Sequence, residues 1–140
     1  KRAEEGLRES QETFRSLVEG STDGVVLVDE SGKVIAFNHA LGKICGISPD
    51  EALGMSYFDL MVRTIIPEHR NPEQIAAIKK EIDTMFRTGK SPFFSSGMET
   101  EICRTDGTRR KIQQTVFPIK TAKGFRIGSI IRDITDQKGS

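Results

Sequence analysis

Residues Ser21 to Gly54 read STDGVVLVDESGKVIAFNHALGKICGISPDEALG, and the fold turns on this stretch. Val25-Val26-Leu27-Val28 is apolar on both faces, which predicts a strand covered on both sides. Asp29-Glu30-Ser31-Gly32 supplies turn chemistry, and Val34 to Phe37 is a second apolar run, so the two form a hairpin. Asn38 can cap a short helix carrying Leu41, Ile44 and Cys45, with Gly46 as a left-handed stop. Ser48-Pro49-Asp50-Glu51 begins another helix at once, with a capping serine, proline at the first helical position and glutamate at the third. Gly54 closes it.

Upstream, residues 1–20 are rich in Glu, Arg and Gln. Ala3, Leu7, Ser10, Phe14 and Leu17 recur at four-three spacing, a heptad seam. The seam admits two readings: an amphipathic helix lying on its own domain, or a coiled-coil linker pairing in a homodimer. Downstream, Tyr57 to Met61 predicts a short helix with an aromatic inner face. Asn71-Pro72-Glu73-Gln74 is a second complete helix start. From it Ile75, Ile78, Ile82, Met85 and Phe86 trace one stripe as far as Thr88-Gly89. Ser91 to Ser96 reads as a loop. Three strands follow, Met98 to Arg104, Arg109 to about Lys120 and Phe125 to Ile134. They are joined by turns at Asp106-Gly107 and at Thr121 to Gly124. Short links mean antiparallel pairing.

Taken in order, these features resemble a PAS domain over Gln11 to Lys138. The early hairpin, the Asn-initiated helix and the S-P-D-E-A-L-G helix carry the likeness. So do Ile66-Pro67-Glu68-His69-Arg70 before the long helix, Arg104-Thr105-Asp106-Gly107-Thr108 at the later turn, and Asp133-Ile134-Thr135 ending the last strand. The resemblance implies an α+β fold: a five-stranded antiparallel sheet in the order 2-1-5-4-3, helices on one face, and an added N-terminal amphipathic helix. The implied organisation is a linker or dimerisation helix at 1–20, a sensory domain at 21–138, and an artificial end or the start of an output linker at 139–140. The implied function is a regulatory input domain of a larger signalling protein, a prokaryotic sensor histidine kinase. It would hold a small ligand between helices and sheet and pass a change to a C-terminal effector. The alternative is a ligand-free module for dimerisation and relay. The expected location is cytoplasmic, whether or not the parent protein is membrane-anchored.

Composition narrows the classes. The chain has 140 residues, enough for one modest core, and 21 basic against 20 acidic residues leave a net charge of +1. That balance makes no case for a nucleic-acid surface or for direct membrane contact. Arg109-Arg110-Lys111 reads as a solvated strand edge. Cys45 and Cys103 lack metal spacing and are too few for a disulfide framework. His39 and His69 have no nucleophile or carboxylate at motif spacing, so no catalytic residue and no metal site are expected. The domain itself is not expected to be an enzyme.

No cofactor is named by the sequence. Flavin-binding light sensors of this family carry a reactive cysteine after the D-E-A-L-G helix, where this chain reads Gly54-Met55-Ser56-Tyr57-Phe58. Haem-binding relatives place a histidine on the long helix, where this chain has Gln74 or Ile78. Both cofactors are therefore disfavoured. Against an unknown small molecule, the candidate ligand-binding residues are Phe37, Ile44, Phe58, Met61, Ile78, Ile82, Gln114, Val116 and Ile130, with Val26, Val28 and Ile102 behind them. Gln114, Ser129 and Thr100 are the buried polar candidates. Asp133 and Thr135 are the candidate signal-relay residues, able to cap an output helix beginning near Asp136. The resemblance also pairs Glu51 with Arg104, in competition with the Ser48 capping box.

Overall fold

The computed structural model describes residues 2–135, with the side chains of all but 2–5, 7, 95 and 96. Helix α1 (Arg2–Gly20) leads into strand β1 (Gly24–Val28), which pairs antiparallel with β2 (Val34–Phe37). Four helices follow: α2 (His39–Cys45), α3 (Pro49–Ala52), α4 (Tyr57–Thr64) and α5 (Pro72–Thr88), with a 3-10 turn at Pro67–His69. Strands β3 (Ser95–Cys103), β4 (Arg109–Thr121) and β5 (Gly124–Asp133) complete an antiparallel sheet ordered β2-β1-β5-β4-β3. Strand β3 thus begins three residues before the expected Met98 and takes in part of the expected loop.

The helices start where the sequence says. Side-chain oxygens of Asn38, Ser48, Ser56 and Asn71 accept from the backbone N–H groups of Leu41, Glu51, Asp59 and Gln74, respectively. Each such cap contributes about 1 kcal/mol. Proline opens α3 and α5, where its missing N–H costs nothing.

One face of the sheet carries the core. Val26, Val28, Ile112, Val116, Ile127 and Ile131 are buried there against Leu41, Ile44, Tyr57, Leu60, Ile82 and Met85 of the helices. The expected two-sided burial of β1 is corrected: Val26 and Val28 are buried, whereas Val25 and Leu27 are only half-buried on the opposite face. Ile130, paired with Val25 and Thr115, shares that outer face and is 41% exposed. It therefore stands apart from the space between helices and sheet. Its neighbours Ser129 and Ile131 point the other way and are buried. Period-two alternation makes this choice all or none for each residue.

Helix α5 is held unevenly. Ile82 and Met85 are buried and each stabilises the fold by about 1.5–3 kcal/mol, whereas Ile75 and Ile78 nearer the start are half-buried. The helix ends at Gly89, whose φ of 70° suits the left-handed cap and whose N–H donates to Met85 O. A Cβ at Gly89 would come within 2.5 Å of the Phe125 ring. Gly32 has φ +88° but open space around it. Gly32→Ala should then cost only the backbone term, about 1–2 kcal/mol. Gly89→Ala should cost that plus about 1–3 kcal/mol of overpacking in urea unfolding. Equal losses at the two sites would show that Phe125 yields freely.

Candidate functional site

The proposed ligand residues gather from β2, α2, α4, α5 and β4. Phe37, Ile44, Ile82 and Val116 are buried in one core, with Val26 and Val28 behind them, and Phe58, Met61, Ile78 and Ile102 are packed half-buried against it. Gln114 lies on the same sheet face, between Met98 and Ile131, and is half-buried. Ser129 is buried, but Thr100 is exposed and leaves the polar set. An open cleft of about 450 Å³ begins at this core, between the β1–β2 turn, the start of α4 and α5. Phe58 and Ile82 form part of its wall, together with Tyr57 and Phe86. Burial pushes the Tyr57 phenol up to about 12, so it stays neutral at physiological pH. The Lys79 ammonium stands 6.0 Å from the centre of the Phe58 ring, at the outer limit of a cation–π contact.

The entry to the domain is built around Asn38, which is fully buried. Its Oδ1 accepts from Val25 N at 2.9 Å and from Leu41 N at 3.0 Å. Its Nδ2 donates to Val18 O at 2.7 Å and to Asp23 O at 3.0 Å. A residue read from the sequence as a helix cap therefore joins α1, β1 and α2 through one amide. Val18 is the one buried side chain among the described side chains of α1.

The exit is built around Asp133. Arg110 Nε donates to Asp133 Oδ2 at 2.7 Å, while Asp133 Oδ1 accepts from the Thr135 hydroxyl at 2.6 Å and from Thr135 N at 3.0 Å. The Thr135 hydroxyl oxygen in turn accepts from Lys111 N at 2.8 Å. Burial alone would raise the Asp133 carboxyl, but the two Thr135 donors and the Arg110 guanidinium outweigh it and hold it below the usual carboxylate range. The output helix expected near Asp136 lies outside the described residues.

Entry and exit are neighbours. Strands β1 and β5 run antiparallel, with Gly24 opposite Ile131, so the start of one lies beside the end of the other. Arg132 bridges them, its Nε 3.2 Å from Asp23 Oδ1. The same Asp23 offers its carbonyl to Asn38.

Other ion pairs differ from expectation. Glu51 pairs with Arg63 at 2.5 Å rather than with Arg104, whose Nε donates instead to Ile44 O at 3.2 Å. Helix α4 brings Arg63 within reach of α3, and the α2 carbonyl takes Arg104 first. The exposed Glu51–Arg63 pair contributes roughly 0.2–1 kcal/mol. Two residues of the basic run on β4 are ion-paired: Arg109 meets Glu68 and Glu101, and Arg110 meets Asp133. Hydrogen bonding to Arg109 holds the Glu68 carboxyl low and fastens the 3-10 turn to the sheet. Arg126 Nε lies 3.1 Å from Glu30 Oε2, an ion pair beside the β1–β2 turn. Apart from Glu101 and Arg109, which sit diagonally across the hairpin turn at Asp106-Gly107, these partners are not at a sequence spacing that could have announced them.

Several residues stand apart from the site. His39 opens α2 and His69 lies in the 3-10 turn, both exposed. Cys45 is buried and its thiol is pushed up to about 12 by desolvation, against the opposing charge of Arg104, which makes it unreactive. Gln74 is exposed on α5. Among the described residues no cluster of three or more His, Cys, Asp or Glu could hold a metal ion, and no helix is long and apolar enough to cross a membrane.

The family model described as the PAS fold matches residues 12–134. Sporulation kinase E of Bacillus subtilis is 28% identical over 138 residues, 99% of this chain. A protein of Azorhizobium caulinodans is 28% identical over 128 residues, 91% of this chain. The chain spans 16% of the length of each of these curated relatives. Among solved structures, a domain of the sensory box sensor histidine kinase/response regulator from Geobacter sulfurreducens superposes with a TM-score of 0.59 at 20% identity, covering 91% of this chain and 96% of that one. In fold the chain resembles PAS domains of sensor histidine kinases.

The Asp133 arrangement sets a pH dependence. A carboxyl whose folded pKa is depressed adds stability above its unfolded pKa, and that stability fades as pH falls through the folded value. Urea unfolding should show Asp133→Asn less stable than the unmutated chain at neutral pH. The gap should close as the pH drops below about 4, the ordinary aspartate range. A gap independent of pH would mean that shape, not charge, matters at Asp133.

Proposed function

The chain belongs to the PAS fold family, and from that premise we propose that it is the sensory input domain of a larger signalling protein of the histidine-kinase kind. It has no catalysis of its own, sits in the cytoplasm, and works as a homodimer paired through α1. A small molecule held between helices and sheet favours one packing of α5, and the change passes to a C-terminal effector at Asp133 and Thr135. The observation that carries this reading is the side-chain lock at the end of β5. There, three charge-assisted or hydroxyl bonds fix the point where the chain leaves the sheet. A ligand acts on such an element only through contacts that differ between its two states. The half-buried start of α5, bearing Ile75 and Ile78, is the wall with least to lose by moving.

A second reading has its own support. The described clefts open at the surface, while Phe37, Ile44, Ile82 and Val116 are buried by one another and their neighbours. A filled core of this kind suits a relay without ligand, in which motion of α1 reaches Asp133 through Asn38, Asp23 and Arg132.

Native mass spectrometry of the purified chain and thermal melts with candidate metabolites separate the two. Val116→Phe sharpens the result. If the site opens to admit a ligand, the added ring should cost little stability and abolish the melting shift given by that metabolite. In a packed core it should cost about 1–3 kcal/mol. That cost, with no copurified molecule and no metabolite raising the melting temperature, would overturn the ligand reading and leave the relay.

A further inference from the structure

The cleft between the β1–β2 turn, the start of α4 and the second half of α5 holds polar groups that the fold itself leaves unused. Its apolar wall is Phe58, Ile82 and Phe86. Tyr57 belongs to the same wall and is only 8% exposed, yet its hydroxyl has no hydrogen-bond partner among the described residues. Buried phenols usually find a partner, so this hydroxyl is spare. Three charged side chains also line the cleft: Glu30, Asp83 and Arg87. Glu30 is already engaged, its Oε2 accepting from the Thr121 hydroxyl and lying 3.1 Å from Arg126 Nε. Asp83 and Arg87 make no ion pair or side-chain hydrogen bond among the described residues, with each other or with any neighbour. One carboxylate and one guanidinium, a single turn apart on α5, therefore remain open beside an apolar wall.

We propose that this cleft binds a free α-amino acid with an apolar side chain. The ligand carboxylate meets Arg87 and the Tyr57 hydroxyl, its ammonium meets Asp83, and its side chain lies against Phe58, Ile82 and Phe86. The proposal rests on the ligand reading above and names the chemistry of the molecule and the wall that holds it. Charge selects the class. A plain carboxylate satisfies Arg87 but meets Asp83 as a like charge, and a plain amine meets Arg87 in the same way. A zwitterion brings the opposite charge to each. Span agrees: residues four apart on a helix have Cβ atoms about 5–6 Å apart, a gap that an ammonium and a carboxylate on one carbon can bridge. The cleft, at about 450 Å³, lies toward the small end of ligand sites and suits a molecule of this size. Both of its walls reach β5. Gly89, ending α5, abuts Phe125, and Glu30 of the β1–β2 turn is paired with Arg126.

Isothermal titration calorimetry and thermal melts of the whole chain with L-leucine, L-methionine and L-phenylalanine test the proposal. At least one of the three should bind and raise the melting temperature. Its deaminated and decarboxylated analogues, 3-phenylpropanoate and 2-phenylethylamine in the case of L-phenylalanine, should each bind about tenfold more weakly or worse. Asp83→Asn and Arg87→Gln, both at exposed positions and with the fold kept by circular dichroism, should each weaken the amino acid by a similar factor. Asp83→Asn should at the same time tighten the deaminated carboxylate, because it removes the like charge; a merely structural role for Asp83 would not. An amino acid that binds equally well to both variants sits elsewhere, and the proposal is overturned. If none of the three binds while another metabolite does, and Val116→Phe blocks it, the ligand reading stands and this proposal falls. If no candidate of any kind binds, both fall.

Discussion

The side-chain amide of Asn38 is the contact on which the rest of this structure depends. It satisfies two N–H groups and two carbonyls drawn from α1, the linker after it, β1 and α2. No other side chain of its size could do so, because only an amide offers two donors and two acceptors in one plane. Losing it would leave the buried Leu41 N–H without its cap and take a partner from the part-buried Val25 N–H and Asp23 carbonyl, at about 1–3 kcal/mol for each group left unsatisfied. The β1–β2 hairpin, the turn into α2 and the end of α1 are therefore specified together.

The sheet carries that constraint across the molecule. Because β1 and β5 are antiparallel neighbours, the segment entering from α1 and the segment leaving after Asp133 lie at the same end. The Asp23–Arg132 pair spans them, and Asp133 is tied sideways to Arg110 of β4. The exposed Asp23–Arg132 pair adds little to stability, whereas the Arg110–Asp133 pair is part-buried. Their consequence is geometric: a displacement of α1 meets a short, side-chain-bonded route to the exit, with the core residues of β1 and β5 packed alongside.

Much of this was legible in the sequence, and for a consistent reason. Capping residues, proline starts and glycine stops act on their own neighbours, so Asn38, Ser48, Asn71, Gly46 and Gly89 can be read without knowing the fold. The family resemblance then supplied the strand order. Long-range side-chain partners were not legible. Glu51 finds Arg63 because α3 and α4 meet, and Arg104 is taken by a carbonyl of α2. Ile130 was assigned to the wrong face because an apolar pair such as Ile130-Ile131 fits either register, and only the pairing with β1 and β4 decides between them. Within Asn38 itself, the cap to Leu41 was legible and the bond to Val18 O was not, since nothing local marks a contact twenty residues away.

Hydrogen exchange of Asn38→Asp against the unmutated chain tests this account most directly. The substitution keeps the acceptor for Val25 N and Leu41 N but sets a carboxylate oxygen against the carbonyls of Val18 and Asp23. The account predicts that amides at the end of α1 and at the β5 exit, around Arg132 and Asp133, both exchange faster. Those of β3 and of the second half of α5 should change less. Faster exchange confined to α1, with the β5 exit as protected as before, would contradict the claim that entry and exit form one mechanical unit.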